Sequence, residues 1–224
     1  MVLTGAVEEK HVSIPGQFLA DLPKAITPNR NIGNINPPKE NRVVKRAEEI
    51  GETMEQVEIT FIYANESVSF EETETSRLLD KLLHDMLYGR LRIEHSLCYG
   101  VGVRTIRDNT YSQLWINVKT DEKNIELIER EFNNILIEIK DGKRRDKFAV
   151  AKDTYFEQVR SSESLSDQIA DNALREISRF DGKFVSLQDQ LAMIEKVAYE
   201  DITRYIEQRL KEEYRYTEII LPSS

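Results

Sequence analysis

Between Met54 and Ala64 the chain alternates, with Val57, Ile59, Phe61 and Tyr63 on one face and Gln56, Glu58 and Thr60 on the other. A period of two is the signature of a strand with one buried face. The period then changes. In FEETETSRLLDKLLHDMLYG, Leu78, Leu79, Leu82, Leu83, Met86 and Leu87 recur at helical spacing. Acidic residues occupy the opening turn, where the helix dipole favours them, and Gly89 is the expected stop. CYGVGVRTIR and YSQLWINVKT then read as two strands joined through Asp108-Asn109-Thr110, a hairpin.

The remainder is mostly helical. KNIELIEREFNNILIEIKDG carries an apolar stripe of Ile125, Ile128, Phe132, Ile135, Leu136 and Ile139, stopped at Gly142. RDKFAVAKDTYFEQVR and SLSDQIADNALREISRF follow as helices. After a turn at Asp181-Gly182 come LQDQLAMIEKV and YEDITRYIEQRLK, and YTEIILP closes as a strand. That order predicts an α+β fold, an antiparallel sheet covered by helices on one face.

Ahead of this lies a different composition. MVLTGAV reads as a short strand and the stretch through FLADLPK as partly helical. Residues 21–46 hold four of the six prolines and no periodic pattern. The expected division is a terminal strand–helix piece at 1–20, a linker at 21–46 and the main domain at 47–224.

Charge and cysteine content exclude several functions. A net charge of −9 argues against a non-specific nucleic-acid binder, which needs a basic face. The one dense basic cluster, Lys143 to Arg145, lies beside Asp141 and Asp146 and reads as a solvated helix start. A single cysteine, Cys98, permits no internal disulfide and no cysteine-rich metal cage, and its apolar setting predicts a small buried hydrophobe. No run of 18 apolar residues and no signal peptide stand in the sequence, so no membrane span and a cytoplasmic location are expected.

The search for chemistry begins at LRIEHSLCYG, Leu91 to Gly100. An inverted zinc-peptidase motif, H-x-x-E-H, puts two histidines four apart on one helix face. Here Glu94-His95 match its end, but Leu91 stands where the first ligand belongs, and leucine binds no metal. The only other histidines, His11 and His84, are not four residues from any partner. No nucleophile elbow, phosphate loop or dinucleotide fingerprint appears. Gly100-Val101-Gly102 offers only G-x-G inside a strand, which more often marks a bulge or a close backbone approach. The carboxylates read as solvated helix faces.

What remains is the arrangement Gly89-Arg90-Leu91-Arg92, then Leu97-Cys98-Tyr99-Gly100-Val101. It resembles the second, non-catalytic domain of the insulinase, pitrilysin and mitochondrial-processing-peptidase family of zinc metallopeptidases. There a helix ends in a pattern like G-r-L-x-x-x-L-R-E-x-x-G-L-A-Y-s-v. Arg92 and Tyr99 keep its spacing of seven. The opening Glu55-Gln56-Val57 strand, the hairpin, the helix to Asp141-Gly142 and the Ala151-Lys152 helix also resemble the family's order, as does MVLTGAV through FLADLPK. Three positions depart: Glu94 is displaced from its place beside the arginine, Ser96 replaces a glycine, and Cys98 replaces an alanine.

The resemblance implies a two-layer domain and a division of labour. A homologous domain with H-x-x-E-H would hold zinc, and this chain would bind no cofactor. Arg92 and Tyr99 would hydrogen-bond a peptide substrate near the scissile bond, on a loop supported by Gly89, Glu94 and Gly100. A guanidinium with five donors and a phenol with one suit an oxyanion. From the residues alone, a helix-end arginine more often caps carbonyls or pairs with a carboxylate such as Glu94. Two functions therefore stand: a non-catalytic substrate-binding domain or subunit of an insulinase-like metalloendopeptidase, or a catalytically dead relative serving as an assembly subunit. Either an excised piece or a separate small subunit fits. Residues 1 to about 45 are expected to be poorly packed or to borrow a neighbouring chain, giving self-association through the N-terminal segment.

Overall fold

The computed structural model describes residues 41–108, 111–161 and 185–223. The expected strand at MVLTGAV, the helix before Lys24, the helix SLSDQIADNALREISRF, the turn at Asp181-Gly182 and self-association through the N-terminal segment lie outside them.

Five strands form one sheet: β1 (Arg42–Arg46), β2 (Val57–Glu66), β3 (Cys98–Arg107), β4 (Tyr111–Thr120) and β5 (Arg215–Leu221). Their order is β1-β5-β2-β4-β3. All neighbours run antiparallel except β1 and β5, which pair parallel. The α+β architecture is therefore as expected, with one parallel strand added at an edge. That strand occupies Arg42 to Arg46, the last five residues of the segment read as linker. Its short β-branched pair Val43-Val44 is too brief to show a period, and pairing with β5 supplies the order that propensity does not.

The register stacks the apolar positions. Ile59 opposes Val118 on one side and Ile219 on the other, and Phe61 opposes Ile116. All of these are buried. Five α-helices lie among the described residues: α1 (Thr73–Leu87), α2 (Ile125–Lys140), α3 (Arg145–Ser161), α4 (Leu187–Lys196) and α5 (Tyr199–Arg209). The stripes of α1 and α2 meet this face of the sheet, with Phe132 stacked on Phe61 at 4.7 Å between ring centroids. Truncating such a ring to alanine typically costs about 3–5 kcal/mol. Gly142 ends α2 with φ +75°, a left-handed position that suits glycine.

Two features were not expected. The residues before α1 form a reciprocal cap, in which Ser69 N donates to Glu72 Oε2 and Glu72 N donates to Ser69 Oγ, both at 3.2 Å. At its other end Gly89 does not stop the chain. The α-helical segment ends at Leu87, and the backbone continues as a widened π-helical turn over Tyr88–Glu94.

The carboxylates of α1 also differ from their expected place on a solvated face. Glu74 is only 3% exposed and accepts hydrogen bonds from Arg77, Tyr155 and Gln190, on α1, α3 and α4. Asp80 accepts from the Thr105 backbone and hydroxyl and from Arg107 on β3. Burial pushes the Asp80 carboxyl above its usual range despite the arginine. The physical reason is that β3, α3 and α4 pack against α1 around Glu74 and Asp80, whereas the later carboxylate Asp85 stays exposed as expected.

Candidate functional site

The site begins with the widened turn. His95 N donates to Arg90 O at 3.1 Å, a bond spanning five residues. Leu91 points into the core and is fully buried, so it anchors the turn. Arg90 reaches sideways to α2, where its two terminal nitrogens bind the two carboxylate oxygens of Glu138 at 3.1 and 2.8 Å. Arg144 binds Glu138 as well. These hydrogen bonds, Arg90 foremost, hold the Glu138 carboxyl below its usual range. Arg92, Ile93 and Glu94 are then left facing outward.

The chain reverses at Ser96, whose φ of +52° makes it the one non-glycine residue in the left-handed region among the described residues. This is the position where the family pattern carries glycine, and the backbone geometry explains why. Leu97 N then donates back to Leu91 O at 2.7 Å. The Leu97 carbonyl accepts from Thr120 Oγ1 at 2.5 Å and from Asn124 Nδ2 at 3.1 Å. The residue leading into β3 is therefore tied both to the end of β4 and to the residue before α2.

Into this frame β3 enters with a bulge. Cys98 pairs with Thr120 and Gly100 with Lys119, so Tyr99 is the extra residue between two register positions. Cys98 turns inward and is buried, and burial pushes its thiol up while the Arg92 charge pulls it the other way. It is an inert packing thiol. Tyr99 turns outward and is 59% exposed. Arg92 Nη1 donates to the Cys98 carbonyl at 3.0 Å, which puts the guanidinium against the peptide link leading into Tyr99. No ion pair joins Arg92 to Glu94, and the rest of the guanidinium has no partner among the described residues.

Of the residues singled out by sequence, Arg92 and Tyr99 are both exposed, and the Arg92 guanidinium meets the backbone at the Cys98 carbonyl, next to Tyr99. Gly89 lies inside the turn, Gly100 follows the bulge, and Glu94 faces solvent nearby. Two further residues were missed. Ile93 beside Arg92 is 66% exposed, more than any other large apolar side chain described. Arg104, farther along β3, lies over the Trp115 ring at 5.4 Å from its centroid. Neither carries a motif; only the strand register reveals Arg104.

The residues here do not fit a zinc ion. His95 and Glu94 are exposed, Leu91 is sealed in the core, and among the described residues no three histidine, cysteine, aspartate or glutamate side chains cluster to hold a metal. No helix of the described residues is long and apolar enough to cross a membrane.

A family model for the peptidase M16 inactive domain matches residues 1–155, more than half of the chain. The chain belongs to that family. No curated protein matches it. Among solved structures, a protease from Helicobacter pylori superposes with a TM-score of 0.78 at 15% identity, covering 96% of this chain and 53% of that one. The periplasmic protease PqqL of Escherichia coli gives 0.74 at 13% identity, over 98% of this chain and 24% of that one. A peptidase M16 inactive domain from Pseudomonas fluorescens gives 0.71 at 15% identity, over 97% and 52%. This M16 inactive domain thus spans from about a quarter to about half of those proteins. At such identities the likeness is one of fold.

Proposed function

We propose that this M16 inactive domain is the substrate-binding, non-catalytic part of a zinc metalloendopeptidase whose metal is held by a homologous domain or subunit carrying H-x-x-E-H. Arg92 and Tyr99 act as donors to the polypeptide. The observation that carries the reading is their arrangement: an exposed phenol at the start of β3 and, on the turn before it, an exposed guanidinium anchored by one donor to the Cys98 carbonyl, the rest of it without a partner among the described residues. A guanidinium held at one edge keeps its orientation while offering its remaining N–H groups to a carbonyl or a developing oxyanion. The widened turn and the bulge both serve this placement, since each is a local departure from regular structure that re-aims a side chain.

The test is turnover in the assembled enzyme. The catalytic partner is expected upstream in the same gene or in a neighbouring reading frame. Reconstituted with it, Arg92→Ala is expected to lower peptide hydrolysis about a hundredfold while assembly stays intact. Unchanged turnover in an intact assembly would overturn the reading and favour a structural subunit. The isolated chain is expected to hydrolyse nothing; chelator-sensitive cleavage by it alone would also overturn the reading.

A further inference from the structure

At the last inward position of β4 the apolar pattern stops. Leu114, Ile116 and Val118 fill the core side of the strand, and the next residue on that face is Thr120, fully buried. A valine would occupy the same space with no polar group to satisfy. The Thr120 hydroxyl donates to Leu97 O at 2.5 Å and accepts from Asn124 Nδ2 at 3.3 Å. Asn124 stands just before α2, where asparagine commonly caps a helix, but its side chain makes no such cap. Its amide donates instead to the same Leu97 carbonyl, at 3.1 Å. Two side chains thus direct their donors at one carbonyl that lies ahead of the β3–β4 pairing.

The next carbonyl is held as well, since Cys98 O accepts from Arg92 Nη1 at 3.0 Å. The consecutive peptide groups leading into Tyr99 are therefore fixed by side-chain donors, in the stretch of β3 that the register does not fix. As the extra residue of the bulge, Tyr99 has no register partner on β4. Its direction follows from the peptide planes before it. So does the placement of Arg92, because the carbonyl that anchors the guanidinium turns with those planes.

We infer that Thr120 and Asn124 are positioning residues for the Arg92–Tyr99 site: by holding the Leu97 carbonyl they aim the phenol and the guanidinium at the polypeptide. This rests on the proposed role of Arg92 and Tyr99. Thr120 is sealed from solvent and acts only through Leu97. A hydroxyl that only stabilised the fold would change the melting temperature and leave the turnover of each folded molecule alone.

The experiment has two readouts, with thermal melting in parallel. In the full chain, NMR of isotope-labelled tyrosine rings follows the Tyr99 signal, assigned with Tyr99→Phe. In the enzyme assembled with its catalytic partner, kcat and KM are measured for hydrolysis of fluorescein-labelled casein. Thr120→Val is expected to shift the Tyr99 signal and to lower kcat about tenfold, with KM changed less than about twofold. Thr120→Ser keeps the hydroxyl and is expected to restore both. Asn124→Asp turns a donor into an acceptor facing the Leu97 carbonyl, while its charge suits the N-terminus of α2. It is expected to stay folded and lose kcat likewise, and it stands in if the valine variant does not fold. An unmoved Tyr99 signal in the folded variants overturns the inference. So does a loss of kcat that serine fails to restore, or one that merely follows a lower melting temperature. If Arg92→Ala lowers turnover and these variants do not, the positioning role falls and the Arg92 reading stands. Arg92→Ala without effect in an intact assembly removes both.

Discussion

Arg90 and Arg92 stand two residues apart on one widened turn, and the turn sends them opposite ways. Arg90 is mostly buried, binds both oxygens of Glu138 and ties the turn to α2. Arg92 faces solvent and holds a single backbone carbonyl. The chemistry of the two side chains is identical; what differs is how many donors the fold consumes. A guanidinium whose donors are used up within the chain is a structural strut, and one left with donors to spare can recognise something else. Leu91 between them, buried in the core, separates the two roles.

Substitution is the direct way to break that contrast. Arg92→Ala is expected to remove on the order of 3 kcal/mol of transition-state stabilisation in the assembled enzyme. It should change folding stability by less than about 1 kcal/mol, since only one hydrogen bond to a neutral carbonyl is lost. Arg90→Ala is expected to do the reverse. Losing paired hydrogen bonds to a carboxylate should cost about 2 kcal/mol of stability, read by urea denaturation, while turnover per folded molecule is preserved. If Arg90→Ala abolished turnover in a folded protein, the strut and the recognition group would not be separable.

The contrast was only half legible in the sequence. Periodicity delivered β2, the stripes of α1 and α2 and the β3–β4 hairpin, because each buries one regular face. It could not deliver β1, whose five residues are ordered by pairing with β5 rather than by pattern. It could not place Glu74 or Asp80 either, since a carboxylate satisfied by partners far along the chain looks, residue by residue, like a solvated one. The seven-residue spacing of Arg92 and Tyr99 was visible. The division of labour between Arg90 and Arg92 was not, because it depends on Glu138, nearly fifty positions away in the chain.

A smaller effect sharpens the strut. The Glu138 carboxyl is held below its usual value of 4.5, chiefly by hydrogen bonds from Arg90. A carboxylate with a lowered folded-state value stabilises the protein fully above its unfolded value and loses that contribution as pH falls through the folded one. The stability difference between wild type and Glu138→Gln is therefore expected to stay constant from pH 7 to about 5 and to shrink in more acidic solution. A difference that widened on acidification would mean that Arg90 is not what stabilises the ionised form.

The smallest expected effect concerns the hinge between the two regions. Ser96 holds φ +52° so that the turn carrying Arg92 can fold back onto the strand carrying Tyr99. A residue with a Cβ is strained there by about 1 kcal/mol, whereas glycine is not. Glycine also makes the unfolded chain more flexible, which offsets part of the gain. Ser96→Gly is therefore expected to stabilise the protein by about 0.5 kcal/mol, a rise of only one or two degrees in melting temperature. Because the backbone path is unchanged, peptide binding through Arg92 and Tyr99 should be retained. A destabilised Ser96→Gly protein would show that the serine side chain, and not the left-handed backbone, sets the position of the loop.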